Sequence, residues 1–256
     1  MKILILKLLK VLLSIKNSRK LYSLLSKIIL SDTEIRHVLP SIIYSKEGSR
    51  VTPELINLVA ESSKLASITI LDCCKNNLPD SKYLNIFPGE HYRFINALAK
   101  TINAKNIVEI GTFTGMGTLA LKYGLNDVLV TTYDILKWNE LPLPSHFNSS
   151  DFDESLNQII GDLSDDNFFD NNLDILNNAD LIFMDAPKDD SFEYKMAKQF
   201  KKLKNKGKRF LILDDILFVN MIDFWRKIKS PKIDATVFGH FTGTGVVDIS
   251  DGFLYE

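Results

Sequence analysis

Asp185, Asp214 and Asp215 are the side chains of this sequence best placed to do chemistry. Asp185 closes the apolar run Leu181-Ile182-Phe183-Met184, and the Asp214-Asp215 pair closes Phe210-Leu211-Ile212-Leu213. Short apolar runs of this kind read as buried strands, and in a parallel sheet ligands gather beyond the carboxyl ends of the strands. Carboxylates brought together at a partly buried spot repel one another unless a cation joins them. An all-oxygen set suits Mg²⁺, or Ca²⁺ if the cavity is larger. Each acid also has a plainer reading: Asp185 and Asp214 as ordinary strand-end residues, and Asp215 as the N-cap of a helix over Leu217 to Ile228.

The stretch that must position these acids runs from Asn106 to Ala120, NIVEIGTFTGMGTLA. It reads as a buried strand, a tight turn and a helix start, the first βα unit of a doubly wound sheet. Gly111, Gly115 and Gly117 admit a close approach of backbone or ligand. Their spacing, G-x-x-x-G-x-G, is not the G-x-G-x-x-G of dinucleotide-binding enzymes, which argues against a dehydrogenase. A second strand, Val128 to Tyr133, ends in Asp134, roughly twenty residues past the loop, where Rossmann-like folds place a carboxylate on ribose hydroxyls. The plainer role for Asp134 is a strand-end turn residue. Glu109, a carboxylate ending a buried strand, needs a partner.

The segment Glu109 to Gly115, E-I-G-T-F-T-G, resembles the first motif of class I methyltransferases that use S-adenosylmethionine (SAM). The acids that follow resemble the branch of metal-dependent catechol and caffeoyl-CoA-type O-methyltransferases. That branch has an acid after the fourth strand, a lysine three residues later, and an Asp-Asn pair after the fifth, here Asp-Asp. The resemblance covers roughly Gly89 to Ile249. It implies an α/β fold: a doubly wound Rossmann-like sheet, mostly parallel, with an antiparallel C-terminal hairpin strand and helices on both faces. It assigns the cofactor to Glu109, Gly111, Thr112, Gly115, Gly117, Asp134, Gly161, Asp162 and Asp185. Glu109 would lie near the amino-acid end of SAM, and Gly161-Asp162 beside its adenine. Mg²⁺ or another divalent cation would sit on Asp185, Asp214 and Asp215.

The chemistry implied is methyl transfer to a hydroxyl of a small molecule. The metal would lower the hydroxyl pKa, and Lys188 would take the proton as general base, its own pKa depressed by the cation. The plainer readings are a solvated surface lysine for Lys188, a loop-amide acceptor for Glu109 and a helix cap for Asp162. Two alternative functions are a metal-independent SAM methyltransferase acting on a sugar or amine, and a SAM-binding or membrane-associated protein without catalysis. His91, lacking a partner at ligand spacing, reads as a capping or surface residue. His240 and Thr242 either face the pocket from the last glycine-rich turn or serve that turn alone.

The frame around these residues is ordinary. The 256 residues are 45% hydrophobic and 25% charged, as in a soluble globular protein. A net charge of −1 gives no global attraction to nucleic acid. The only cysteines, Cys73 and Cys74, are adjacent and read as small buried hydrophobes on a helix in a cytoplasmic protein. Residues 1–50 form an N-terminal helical extension, and 51–256 the methyltransferase domain, with a helical cap or lid over 51–104 and a Rossmann-like core over 105–256. The first thirty residues read as two short amphipathic helices, too often interrupted by lysine to span a bilayer. They would pack on the domain or on a second subunit of a homodimer, or lie in a membrane surface through their basic face. Between 138 and 150 the chain departs from the resembling family, because Pro142 and Pro144 make an irregular loop where that branch has a helix.

Overall fold

The computed structural model describes residues 51–76, 78–189 and 191–256. The N-terminal helices and the connector expected before residue 51 lie outside the described residues.

Thr52 and Pro53 open the first described helix, α1 (Pro53–Ile68), as their types predict. The Thr52 hydroxyl accepts from the Leu55 amide at 3.2 Å, and Pro53 occupies the first turn, where no amide is needed. Helix α2 (Tyr92–Thr101) follows, and its residues Arg93 to Ala99 are all buried. Then come strand β1 (Asn106–Ile110), helix α3 (Met116–Lys122) and strands β2 (Leu129–Asp134) and β3 (Leu156–Ile160). After these lie α4 (Asp166–Asn171), α5 (Leu173–Asn178), β4 (Leu181–Met184), α6 (Phe192–Phe200) and β5 (Phe210–Asp214). The chain closes with α7 (Val219–Lys227), β6 (Lys232–Asp234) and β7 (Thr244–Asp248). Among the described residues, no helix is long and apolar enough to cross a membrane.

These strands form one sheet in the order β3-β2-β1-β4-β5-β7-β6. The first five in that order are parallel, while β7 runs antiparallel to both β5 and β6. Side chains alternate between its faces with the period of two that a pleated strand imposes. Ile107, Leu181, Phe183, Ile212 and Val246 belong to a core shared with α1, α2 and α3. Val108, Ile110, Ile182, Met184, Leu211 and Val247 belong to a second core shared with α6 and α7. Helices on both faces explain why β1, β4 and β5 read as near-continuous apolar runs.

Three local expectations are corrected. Cys73 and Cys74 lie in an irregular stretch rather than on a helix, half-buried against the first core. The helix after β5 begins at Val219 with Phe218 in the cap position, so Asp215 is not its N-cap. The cap of α4 is Asp165, whose carboxylate accepts from the Phe168 amide at 2.9 Å, and not Asp162. The loop over 138–150 is irregular, as its prolines predict, with only a short 3-10 turn at Ser149–Asp151. Trp138 stacks on Phe152 there, ring centroids 5.4 Å apart, and covers the first core.

Candidate active site

β1 and β4 are parallel neighbours in the sheet, and Gly111 lets the chain leaving β1 run close against the residue that follows β4. Its φ is 101°, and a Cβ at this position would lie 1.9 Å from the Asp185 carbonyl oxygen. Gly111 therefore sits directly against the first residue beyond β4. Gly115 (φ 94°) precedes α3 and turns its bare Cα toward the ring of Phe147, while Gly117 lies over the Glu109 carboxylate. Gly161 follows β3, with its amide bonded to the Asp134 carbonyl at 2.9 Å.

Glu109 is 1% exposed, and its Oε2 accepts from the hydroxyls of Thr118 and Thr132, the latter at 2.6 Å. It bonds hydroxyls, not loop amides. Burial pushes this carboxyl up to about 8, against the pull of the two hydroxyl bonds. Native Glu109 thus keeps its proton while the unfolded chain releases it, so the stability this group contributes is fully present below about pH 4.5 and is lost as pH rises toward 8. Glu109→Gln is expected to flatten that slope in urea unfolding at pH 5 and pH 8.5. An unchanged slope would assign the pH dependence to another group.

The loop amides instead go to Asp134. Its Oδ2 accepts from the backbone of Thr112 at 3.0 Å and Phe113 at 2.9 Å, and its Oδ1 from Leu136 at 3.2 Å. The Thr112 hydroxyl bonds that of Thr132 at 2.7 Å. Asp162 accepts from the Ser164 amide at 2.8 Å in the turn after β3. The residues assigned to the cofactor are therefore tied to one another around the glycine turn.

Beyond β4 and β5 the acids converge. Oxygens of Asp185, Asp214 and Asp215 lie within 4.8 Å of one another. Strand alternation would send neighbouring residues to opposite faces, but Asp215 adopts a left-handed φ of 60°, which bends the chain and turns both carboxylates of the pair to one side. Lys188 Nζ bridges Asp185 Oδ1 at 2.6 Å and Asp215 Oδ2 at 2.9 Å. Burial works to lower the Lys188 pKa, but these carboxylates raise it above the ordinary lysine value.

Two histidines complete the cluster. His91 is 3% exposed, with Nδ1 3.2 Å from Asp214 Oδ1; it occupies the N-cap position of α2, as one reading had it, but makes no side-chain capping bond, and its burial corrects the reading as a surface residue. His240 Nδ1 lies 3.2 Å from Asp214 Oδ2 and 2.8 Å from the Thr242 hydroxyl, which donates in turn to Asp215 Oδ1. His240 and Thr242 thus face the acids. Burial favours raising the Asp214 carboxyl, yet the two histidines hold it well below the usual range. The same carboxylates hold His240 up at about 10 against its own burial. Backbone bonds fasten the two histidine segments: the Gly89 amide donates to the Gly239 carbonyl, and the Phe241 amide to the Gly89 carbonyl, each at 3.2 Å. Sequence reasoning passed over His91 because its partner is 123 positions away, with no spacing to signal it.

The cluster fits a divalent cation by an observation of its own. Asp214 is 2% exposed, and among the described residues its Oδ1 has no aligned hydrogen-bond donor, only the His91 imidazole close by. A buried carboxylate oxygen without a donor calls for a cation.

A sheet of this order, closed by an antiparallel strand between β5 and β6 and carrying a glycine turn after β1 and acids after β4 and β5, defines a class I methyltransferase architecture. A family model described as O-methyltransferase matches residues 74–224, and the chain belongs to that family of SAM-dependent enzymes. A Dictyostelium discoideum protein named "Probable caffeoyl-CoA O-methyltransferase 3" is 24% identical over 187 residues, 69% of this chain and 71% of that protein. Caffeoyl-CoA O-methyltransferase 1 of Eucalyptus globulus is 37% identical over 114 residues, and the match spans 40% of this chain and only 42% of the plant enzyme. Among solved structures, the O-methyltransferase of Streptomyces achromogenes involved in tomaymycin synthesis, in complex with SAM, superposes with a TM-score of 0.46. It is 14% identical, covering 77% of this chain and 99% of that one.

Proposed function

We propose that this protein transfers the methyl group of SAM to a hydroxyl of a small molecule, with Asp185, Asp214 and Asp215 holding a divalent cation and Lys188 acting as general base. The observation that carries the reading is the meeting of those acids and Lys188 beyond β4 and β5, against the glycine turn. A divalent cation bound there supplies Lewis acidity that lowers the pKa of the acceptor hydroxyl. Asp185 links the two halves of the site, since its carbonyl abuts Gly111 and its carboxylate bonds Lys188.

Lys188 takes the hydroxyl proton at Nζ. It does so only from its neutral form, so the carboxylates that hold it protonated must first share their charge with another cation. No covalent enzyme intermediate is required, and the work of the chain is positioning. The Gly89 to Phe241 backbone bonds fix one side of that geometry before any ligand arrives.

The test is methyl transfer from labelled SAM to catechol- and caffeoyl-type acceptors, with and without EDTA. Turnover is expected to fall by at least about 10²-fold in EDTA and to return with Mg²⁺. Turnover indifferent to EDTA would remove the metal from the reaction and favour a metal-independent methyltransferase, with sugars and amines the acceptors to try next. Calorimetric SAM binding with no transfer to any acceptor would point to a binding protein.

A further inference from the structure

The groups around Asp214 differ on its two sides. Toward Asp185 and Asp215 the ammonium of Lys188 already supplies a positive charge, 2.6 and 2.9 Å from their oxygens. Toward the other side stand two imidazoles. His91 Nδ1 is 3.2 Å from Asp214 Oδ1, yet both atoms are buried and, among the described residues, neither has a hydrogen-bond partner. They are close in distance without being aligned as donor and acceptor. His240 Nδ1 is 3.2 Å from the second oxygen of the same carboxylate. One ligand atom from each of His91, Asp214 and His240 lies within 4.8 Å of the others, a second set that shares Asp214 with the three aspartates.

The surroundings of His240 match those of a metal-binding imidazole. Its other ring nitrogen, Nε2, faces Glu90 Oε2 at 3.7 Å, on the side away from Asp214. At that distance the contact is one of charge rather than a hydrogen bond, and it favours the ring orientation that turns Nδ1 toward Asp214. Both imidazoles are also held at a set separation, ring centroids 5.4 Å apart, by the paired backbone bonds through Gly89. Two imidazoles and one carboxylate are a donor set for a borderline transition ion, whereas Mg²⁺ prefers oxygen and retains its water.

We propose that His91, Asp214 and His240 form a nitrogen-containing cation position sharing Asp214 with the three-aspartate set, and that it takes a transition ion, the borderline Zn²⁺ first and Mn²⁺ after it, in preference to Mg²⁺. This deepens the reading of the cluster as cation-binding and rests on it. The position gives Asp214 Oδ1 and His91 Nδ1 the partner they lack. It also lets a cation draw charge from the acids while Lys188 keeps its place between Asp185 and Asp215.

The test uses the full chain, stripped with chelator and reloaded with Mn²⁺ alone. Pulsed EPR reports directly on nitrogen donors: the expected result is ¹⁴N coupling from coordinated imidazole, weakened in His240→Ala. Equilibrium dialysis is expected to show Mn²⁺ and Zn²⁺ bound at least tenfold more weakly by His240→Ala than by the native chain, with Mg²⁺ affinity changed less than twofold. His91→Asn should act in the same direction, and the unmodified chain still decides the matter if that buried substitution prevents folding. Bound Mn²⁺ without ¹⁴N coupling, unaffected by His240→Ala but weakened by Asp185→Asn, would overturn this inference and leave the all-aspartate site standing. Failure of the native chain to bind any of the three ions would overturn both.

Discussion

Lys188→Ala is expected to slow methyl transfer by about 10²- to 10⁴-fold, the usual contribution of a positioned acid or base, with calorimetric SAM affinity unchanged. Loss of charge is a rival cause, because Lys188 also neutralises Asp185 and Asp215. Lys188→Arg separates the two. A guanidinium keeps the positive charge but does not deprotonate, so it satisfies the carboxylates and fails as a base. Arginine as poor as alanine supports proton transfer at Nζ, and arginine near native turnover reduces Lys188 to a counter-ion. Turnover close to native in Lys188→Ala would remove the residue from the chemistry altogether.

The second large effect is structural. Gly111→Ala puts a methyl 1.9 Å from the Asp185 carbonyl oxygen and 2.8 Å from its carbonyl carbon, at a φ of 101° that L-residues rarely adopt. Both obstacles are backbone, so no rotamer relieves them. Destabilisation of about 4 kcal/mol or more is expected, in the class of substitutions that strain a special backbone position. Urea unfolding measures it. If the variant stays folded, the end of β4 must have moved, carrying Asp185 and Lys188 with it, and turnover should fall without any change to a reacting group. A loss below about 1 kcal/mol would show that the contact of Gly111 with the Asp185 backbone is looser than the geometry implies.

The fold was legible wherever burial on both sides of the sheet writes an unbroken apolar run. The runs Leu181 to Met184 and Phe210 to Leu213 were expected as buried strands and are found as β4 and β5, buried throughout. The convergence of Asp185, Asp214 and Asp215 was legible for the same reason, since strand ends in a parallel sheet share one edge. Contacts made by isolated residues across long separations were not legible. His91 reaches Asp214 from a segment with no spacing to signal it, whereas for His240 the sequence offered the pocket and the turn alone, and the first holds. Glu109 was expected to need a partner, but its choice of Thr118 and Thr132 over the loop amides depends on which face of β1 it occupies. Asp134 took those amides instead. Cys73 and Cys74 were misplaced because an apolar stretch too short to show a period does not separate helix from coil.

The clasp between Gly89 and the 239–241 turn is made of main-chain atoms alone. Substitution at Glu90, His91, His240 or Phe241 therefore leaves its two hydrogen bonds available, because neither depends on a side chain. Natural drift or directed evolution can exchange the donors and the exposed Phe241 ring at this mouth while the scaffold beneath keeps its shape. A library confined to Glu90, His240 and Phe241, which spares the buried His91, would therefore vary the surroundings of the acids with the clasp intact.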